Sequence, residues 1–469
     1  MVTASVLDVS AIEALRAGFR GQVLQPEEAG YDAARAVWNG MIDRRPAVVA
    51  RCAGVADVIA AVSFARSNEL VVSVRGGGHN VTGNAVCDGG LMIDLSPMKG
   101  VHVDPVRRVA RAEAGVTWGD FDHETQPFGL ATTGGQVSTT GIAGLTLGGG
   151  LGWLQRSFGL VVDNLLSVDL VLADGRFVTA SADQHQDLFW ALRGGGGNFG
   201  VATSFEYRLH ELGPIVMSGM GLYPVAQAPE IMRFYRQFTA DAPDQLMVVA
   251  GFLTAPPAPF VPEHLQGTLM VALVVCYAGS VEEGQRAVEA IRAAHPPAVD
   301  IFGPMPYTAV QQLFDAGLPF GQRVYLRSDH LASLSDRTID AIVDNARQIT
   351  SPSSVAVIVP LGGAVARIGE TETAFGHRDT PYDIDVFAIW TDPAEDERHL
   401  AWGRAFGSAL QPFSRGVYVN ELGDDGPSRI RDAYPTQIYD RLAKLKATYD
   451  PTNFFHLNQN IKPAASSGI

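Results

Sequence analysis

Three cysteines are few for a chain of 469 residues, and Cys52, Cys87 and Cys276 fall in no CxxC or zinc-like spacing. The odd count argues against a disulfide framework and for a reducing compartment. Long apolar runs are missing: no stretch approaches the roughly 20 apolar residues of a membrane span. The opening segment from Met1 to Arg20 is interrupted by Asp8, Glu13 and Arg16, so it lacks the charged start and unbroken apolar stretch of a signal peptide. The chain therefore reads as cytoplasmic, with no membrane partner. A basic excess is also absent. With 35 Lys+Arg against 50 Asp+Glu the formal charge is −15, which gives no general attraction to phosphate backbones, and nucleic acid is not expected as a partner. GxxxxGK[ST], HExxH and GxSxG do not occur. P-loop ATP hydrolysis, zinc proteolysis and α/β-hydrolase chemistry thus lose their usual markers, and no metal site is expected.

What the chain has is apolar bulk and glycine. At 46% hydrophobic and 18% charged it is globular, with length for more than one packed core. Its 50 glycines follow no G-X-Y period and cluster in short loops. From about Ala47 to Leu209, β-branched runs alternate with helical stretches. Helical spacing over Val55 to Asn68 precedes a strand, Leu70 to Val74, that feeds into Arg75-Gly-Gly-Gly-His79-Asn80. Further strands are expected at Leu91 to Leu95, Val109 to Ala112 and Leu165 to Leu172, the last turning at Ala173-Asp174-Gly175 into Phe177-Val178-Thr179. From Gly213 to Ala409, strands at Leu246 to Leu253, Leu269 to Tyr277, Val355 to Leu361 and Ile384 to Trp390 mix with helices at Glu230 to Phe238, Val281 to Ala294 and Ser335 to Ile349. That texture predicts an antiparallel sheet with helices on one face, whose other face roofs a site on the first half. A last helix is expected at Tyr439 to Tyr449, ahead of Asp450-Pro451.

Gly195-x-Gly197-x-x-Gly200 matches the dinucleotide fingerprint as a string, but a helix end precedes it and a strand follows, the reverse of what a Rossmann site needs. Three glycine clusters remain, at 75–80, 141–153 and 194–200. Glycine lets backbone N–H groups converge on an anion, so three such loops together favour a phosphate-bearing cofactor over three unrelated turns.

The motifs Arg75-Gly-Gly-Gly-His79-Asn80, Gly148-Gly-Gly-Leu-Gly152-Trp153-Leu154-x-Arg156-x-x-Gly159-Leu160-x-x-Asp163-Asn164, Asp187-Leu-Phe-Trp190-Ala-x-Arg193-Gly-Gly-Gly-Gly-Asn198-Phe-Gly200, and Tyr449-Asp450-Pro451-x-Asn453-Phe with Asn458-Gln-Asn460-Ile461 occur in this order. Over nearly its whole length the chain resembles the berberine bridge enzyme-like flavoproteins of the vanillyl-alcohol oxidase superfamily, which have a PCMH-type FAD domain. The resemblance implies an α+β protein. Residues 1–212 would form the two-subdomain FAD-binding domain, 213–410 an antiparallel-sheet substrate domain with helices on one face, and 411–469 a segment returning to the FAD domain.

It also implies FAD joined through its 8α-methyl to His79. The cofactor would lie along Arg75, Gly76, Gly77, Gly78, Asn80, Gly83, Gly134, Val137, Thr140, Gly141, Gly144, Gly152, Val201, Asn458 and Asn460. Relatives with a second tether carry a cysteine eleven residues before the GGG; counting back from Gly148 gives Val137, so a single covalent bond is expected. Thr140 falls where the family places a residue that admits or blocks dioxygen. The family's base is commonly the second aromatic of Tyr-x-Asn-Tyr, and here the segment reads Tyr418-Val419-Asn420-Glu421. Glu421 then takes the base position and Tyr418 packs or orients, unless Glu421 is a solvated loop carboxylate beside Asp424 and Asp425. The implied activity is that of an oxidase. Hydride passes from a C–OH or C–N carbon of a small organic substrate, a secondary metabolite or a sugar, to the flavin and then to dioxygen. An oxygenating flavoenzyme and a catalytically silent flavin-binding protein stay open as alternatives, as does a homodimer.

Overall fold

The computed structural model describes residues 7–423 and 426–465, so Asp424 and Asp425 lie outside the described residues. In the first half a four-stranded sheet has the order Gln22–Leu24, Val48–Arg51, Leu91–Asp94, Val72–Arg75, the last three parallel. The helix Val55–Ser67 crosses over from Val48–Arg51 to Val72–Arg75, and the chain then returns to insert Leu91–Asp94 between these two strands, whose short apolar runs are those of strands covered on both faces. The strand Val72–Arg75 ends at the first glycine loop.

A five-stranded antiparallel sheet follows, ordered Val101–Asp104, Val109–Glu113, Val201–Arg208, Leu165–Val171, Phe177–Ser181. Gly175, at φ 86°, makes the turn between Leu165–Val171 and Phe177–Ser181. The glycines at 194–200 sit between the helix Gln186–Leu192 and the strand Val201–Arg208, the helix-before-strand order read from the sequence. One core joins both sheets and takes in the chain's return, from Val417 and Tyr418 to Phe455 and Ile461.

Between them lies a nine-stranded antiparallel sheet. Its path runs Val299–Asp300, Ile215–Pro224, Leu269–Tyr277, Leu246–Thr254, Val355–Pro360, Tyr382–Trp390, Arg323–Leu331, Ser414–Gly416, with Gly303–Pro306 also on the Ile215 strand. Alternation along a strand divides its side chains between two faces. Leu246, Val248, Ala250 and Phe252 face helices Ala228–Ala240 and Asp336–Ala346, while Met247 and Val249 pack with Trp153 of the first half. The sheet does roof the first half, as its pattern suggested. Three details differ from the sequence reading. Glycines, a proline and interleaved charges hide the strands Ile215–Pro224 and Arg323–Leu331. The strand expected from Ile384 begins at Tyr382, and Ser414–Gly416 extends the sheet past residue 410.

Candidate active site

The loop after Val72–Arg75 is shaped by close backbone approach. A Cβ on Gly77 would lie 2.4 Å from the Gly141 nitrogen, and one on Gly141 would meet Gly77 at the same distance, so two glycines allow the first and second glycine clusters to touch. Gly78 (φ 74°) then turns the chain so that His79 leaves the loop. Arg75 donates to the Ala34 carbonyl at 2.5 Å, the Asn80 side chain accepts from Thr82 and from the Asn84 N–H, and Gly83 (φ 71°) closes that turn onto Ile42. These residues build the loop.

His79 is half-buried. Trp38 stacks on its imidazole (centroids 5.3 Å apart, planes 14° apart), Phe320 meets it edge-on at 5.3 Å, and Thr139 Oγ1 lies 3.0 Å from Nε2. Burial among uncharged groups pushes the imidazole down to about 4, so it is neutral near pH 7.

Thr140 is half-buried, and its hydroxyl has no hydrogen-bond partner among the described residues; its backbone turns back on Val137 and pairs with Trp118. The helix Ile142–Gly148 starts at this contact. At seven residues it is about 10 Å long, and Gly144, midway, faces open space. It ends in the Gly148–Gly150 turn, where Cβ atoms would strike Asn420, Phe375 and Val161 within 2.4 Å. Tyr418 locks this turn, its buried hydroxyl accepting from the Gly150 N–H (2.8 Å) and from Asn420 Nδ2 (2.6 Å). Asn420 also donates to the Leu145 carbonyl. Tyr418 thus positions Asn420 and the turn. A Cβ on Gly152 would strike the Gly134 carbonyl and one on Gly134 would strike Trp118, and Val201 is wholly in the core, leaving only its backbone to a ligand.

The turn Val419–Glu421 carries Glu421 beneath the nine-stranded sheet. Alternation on Tyr382–Trp390 sends Tyr382, Ile384 and Val386 into the helix-covered core and leaves Asp383 and Asp385 on the other face. Across the ladder, Ser328 stands opposite Asp385 and His330 opposite Asp383. Carboxylate oxygens of Asp383, Asp385 and Glu421 come within 4.8 Å of one another. Ser328 donates to Glu421 at 3.2 Å, and His330 Nδ1 lies 2.7 Å from Asp383. Burial, then the charges of its carboxylate neighbours, raises Glu421 well above the usual range; Asp385 is raised for the same reasons. The sequence reading missed Asp383, Asp385, Ser328 and His330. The one available signal was a pair of carboxyls at alternate positions of an otherwise apolar segment, easily taken for a solvent-facing pattern.

The two ends belong to one cleft. Strand Arg323–Leu331 packs Val324 against Trp38 at the His79 end and brings Ser328 to Glu421, while helix Ile142–Gly148 connects the same ends below. Near His79 a cavity of about 400 Å³ is lined by Arg75, Gly76, Lys99, Ser138 and Thr139. At the third glycine cluster, Asn458 donates to the Gly197 carbonyl, yet the buried Oδ1 atoms of Asn458 and Asn460 have no partner among the described residues, and neither does the buried Nε2 of Gln136 on the Gly134–Thr140 segment. Buried polar atoms normally find one. These orphans, the bare helix face at Gly144 and the glycine cradle fit an elongated, polar, phosphate-bearing cofactor such as FAD.

Comparison with known proteins agrees. Residues 46–181 match the FAD binding domain family, and residues 417–462 match the "Berberine and berberine like" family. An FAD-linked oxidoreductase of Dictyostelium discoideum is 33% identical over 91% of both chains. The (R)-6-hydroxynicotine oxidase of Paenarthrobacter nicotinovorans is 31% identical over 95% of this chain and 98% of its own. The crystal structure of 6-hydroxy-D-nicotine oxidase from Arthrobacter nicotinovorans superposes with a TM-score of 0.85 at 29% identity, covering 95% of this chain and 98% of that one.

Proposed function

The chain belongs to the berberine bridge enzyme-like FAD-linked oxidoreductases, and from that premise we propose that it is an oxidase holding FAD covalently through His79, with Glu421 as its catalytic base. It is an FAD-dependent enzyme acting on a small organic molecule. The observation that carries the finer reading is the placement of a neutral imidazole and a cluster of carboxyls at the two ends joined by helix Ile142–Gly148 and strand Arg323–Leu331. Bound FAD supplies an acceptor for hydride and passes the electrons to dioxygen, giving hydrogen peroxide.

The protein's part is binding and proton handling. The glycine loops bring backbone N–H groups to the phosphates, and Asn458 and Asn460 offer their unpaired oxygens. The sheet closes over the cleft and keeps water from the reacting carbon. A hydroxyl or ammonium group at that carbon must lose a proton, and Glu421 takes it. Its pKa, raised by burial and then by its carboxylate neighbours, makes the ionised form a stronger base than an exposed glutamate. Asp385 shares the same proton, and Ser328 holds the Glu421 carboxyl in place. The acidic lining suits an amine, as in the nicotine oxidase, and serves equally for deprotonating an alcohol.

The test is covalency together with product. Acid-precipitated protein should stay yellow, the His79 peptide should carry the flavin mass, and His79→Ala should release its flavin on denaturation. Turnover should yield one peroxide per substrate oxidised. A colourless precipitate from the wild type, or flavin found on a cysteine peptide, overturns the attachment. Peroxide well below one per substrate overturns the oxidase reading in favour of an oxygenating enzyme.

A further inference from the structure

The surroundings of His79 point to a residue that selects which of its nitrogens reacts. Thr139 Oγ1 sits 3.0 Å from Nε2, within reach to accept a proton there. Nδ1 has no hydrogen-bond partner among the described residues. The ring cannot easily turn over, because Trp38 covers its face and Phe320 its edge. Thr139 is fixed just as firmly. Ser138 before it gives its N–H and hydroxyl to Asp315 at 3.0 and 2.5 Å, and Gly141 beyond it is pressed against Gly77.

We propose that Thr139 is a positioning residue for flavin attachment: by accepting the Nε2 proton it holds neutral His79 in the tautomer whose lone pair is on Nδ1, and so makes Nδ1 the nucleophile. A neutral imidazole carries one N–H and one lone pair, so fixing the proton on one nitrogen leaves the other free to react. Attachment forms a bond between Nδ1 and the 8α carbon. That carbon loses one C–H bond, and the imidazole gives up the Nε2 proton held at Thr139. Dioxygen takes the two electrons, by way of the flavin, and the two protons, and leaves as hydrogen peroxide. A threonine suits the task because its hydroxyl accepts the proton without adding charge, and the ring stays neutral at the pH where attachment occurs.

The inference rests on the covalent reading of His79, and the experiment separates the two. Full-length protein prepared under riboflavin limitation is incubated with FAD, and the flavin retained after denaturation is followed with time. NMR of the isolated histidyl-flavin identifies the linked nitrogen. The wild type should be linked through Nδ1. Thr139→Val should bind FAD but attach it about fivefold to tenfold more slowly, the effect of one lost hydrogen bond, and Thr139→Ser should restore the rate. Linkage through Nε2 in the wild type overturns the proposal without any variant, and so does a Thr139→Val protein that attaches flavin at the wild-type rate. Wild type that releases all its flavin on denaturation overturns the covalent reading itself, and the role of Thr139 with it.

Discussion

The two ends of the cleft solve opposite problems. At the His79 end the chain uses glycine backbone and aromatic rings, carries no net charge on the reactive group, and lowers an imidazole to about 4. At the Glu421 end it gathers three carboxyls against one imidazole and raises two of them. Burial drives both shifts, because it disfavours the charged form whatever its sign. In the proposed reading, one end is thereby left with a neutral nucleophile for a single event, and the other with a carboxyl that gains and loses a proton at every turnover. A difference in chemistry follows from one physical cause acting on two side-chain types.

The strongest way to break this comparison is Glu421→Gln. It keeps the shape and the Ser328 contact and removes the proposed base. Flavin content should stay normal while the rate of anaerobic flavin reduction falls by about 10²–10⁴. The pH profile carries the sign. Glu421 works only when ionised and its pKa is raised, so wild-type reduction should slow as the pH drops through a value well above 4.5, and Glu421→Gln should lose that limb. Unchanged reduction in the variant would make Glu421 a packing carboxyl and move the base to Asp385.

These two ends were also unequally legible in the sequence. The His79 loop is contiguous, and its use of glycine can be argued from the order of residues alone. The carboxyl cluster is a product of register. Asp383 and Asp385 meet Ser328 and His330 only because strands Tyr382–Trp390 and Arg323–Leu331 pair as they do, and neither segment shows this by itself. Glu421 was visible as a departure from an expected aromatic, but its neighbours were not, and so neither was the reason its pKa moves. Trp38, Thr139 and Phe320 come from three distant segments and converge on one ring, a meeting no local pattern encodes.

Asp122 sharpens the comparison, being a buried carboxyl outside the cleft. It is 1% exposed, on helix Trp118–Thr125, its side chain accepting from Gln311 Nε2 at 2.8 Å and from no other side chain among the described residues, and burial raises it to about 7. Its folded pKa lies above the unfolded 3.8, so the fold binds the proton more tightly and stability falls as pH rises. That stability is whole below about 4 and is lost as the pH passes about 7, a difference of about 4 kcal/mol at 1.36 kcal/mol per unit. Asp122→Asn keeps the bond from Gln311 and cannot ionise. Its urea midpoint should match wild type near pH 4 and exceed it at pH 8, with flavin reduction unchanged. Equal midpoints at pH 8 would show that Asp122 ionises without cost. A slower reduction would show that buried carboxyls in this protein are not divided into structural and catalytic ones.

The smallest effect is expected at Thr140, which stands between the two ends. Its hydroxyl is unpaired among the described residues, and its backbone is held by Val137 and Trp118, so a substitution there should alter the cleft without moving the loop. Valine has the same branched shape and removes only the polar group. If dioxygen is met by that hydroxyl, Thr140→Val should reduce at the wild-type rate and reoxidise a few-fold more slowly. Thr140→Leu, which also fills space, should be slower still. Stopped-flow mixing of reduced protein with air-saturated buffer measures both rates directly. If the valine variant reoxidises normally and the leucine variant slowly, the position acts through volume alone. If both reoxidise at the wild-type rate, dioxygen reaches the reduced flavin from elsewhere.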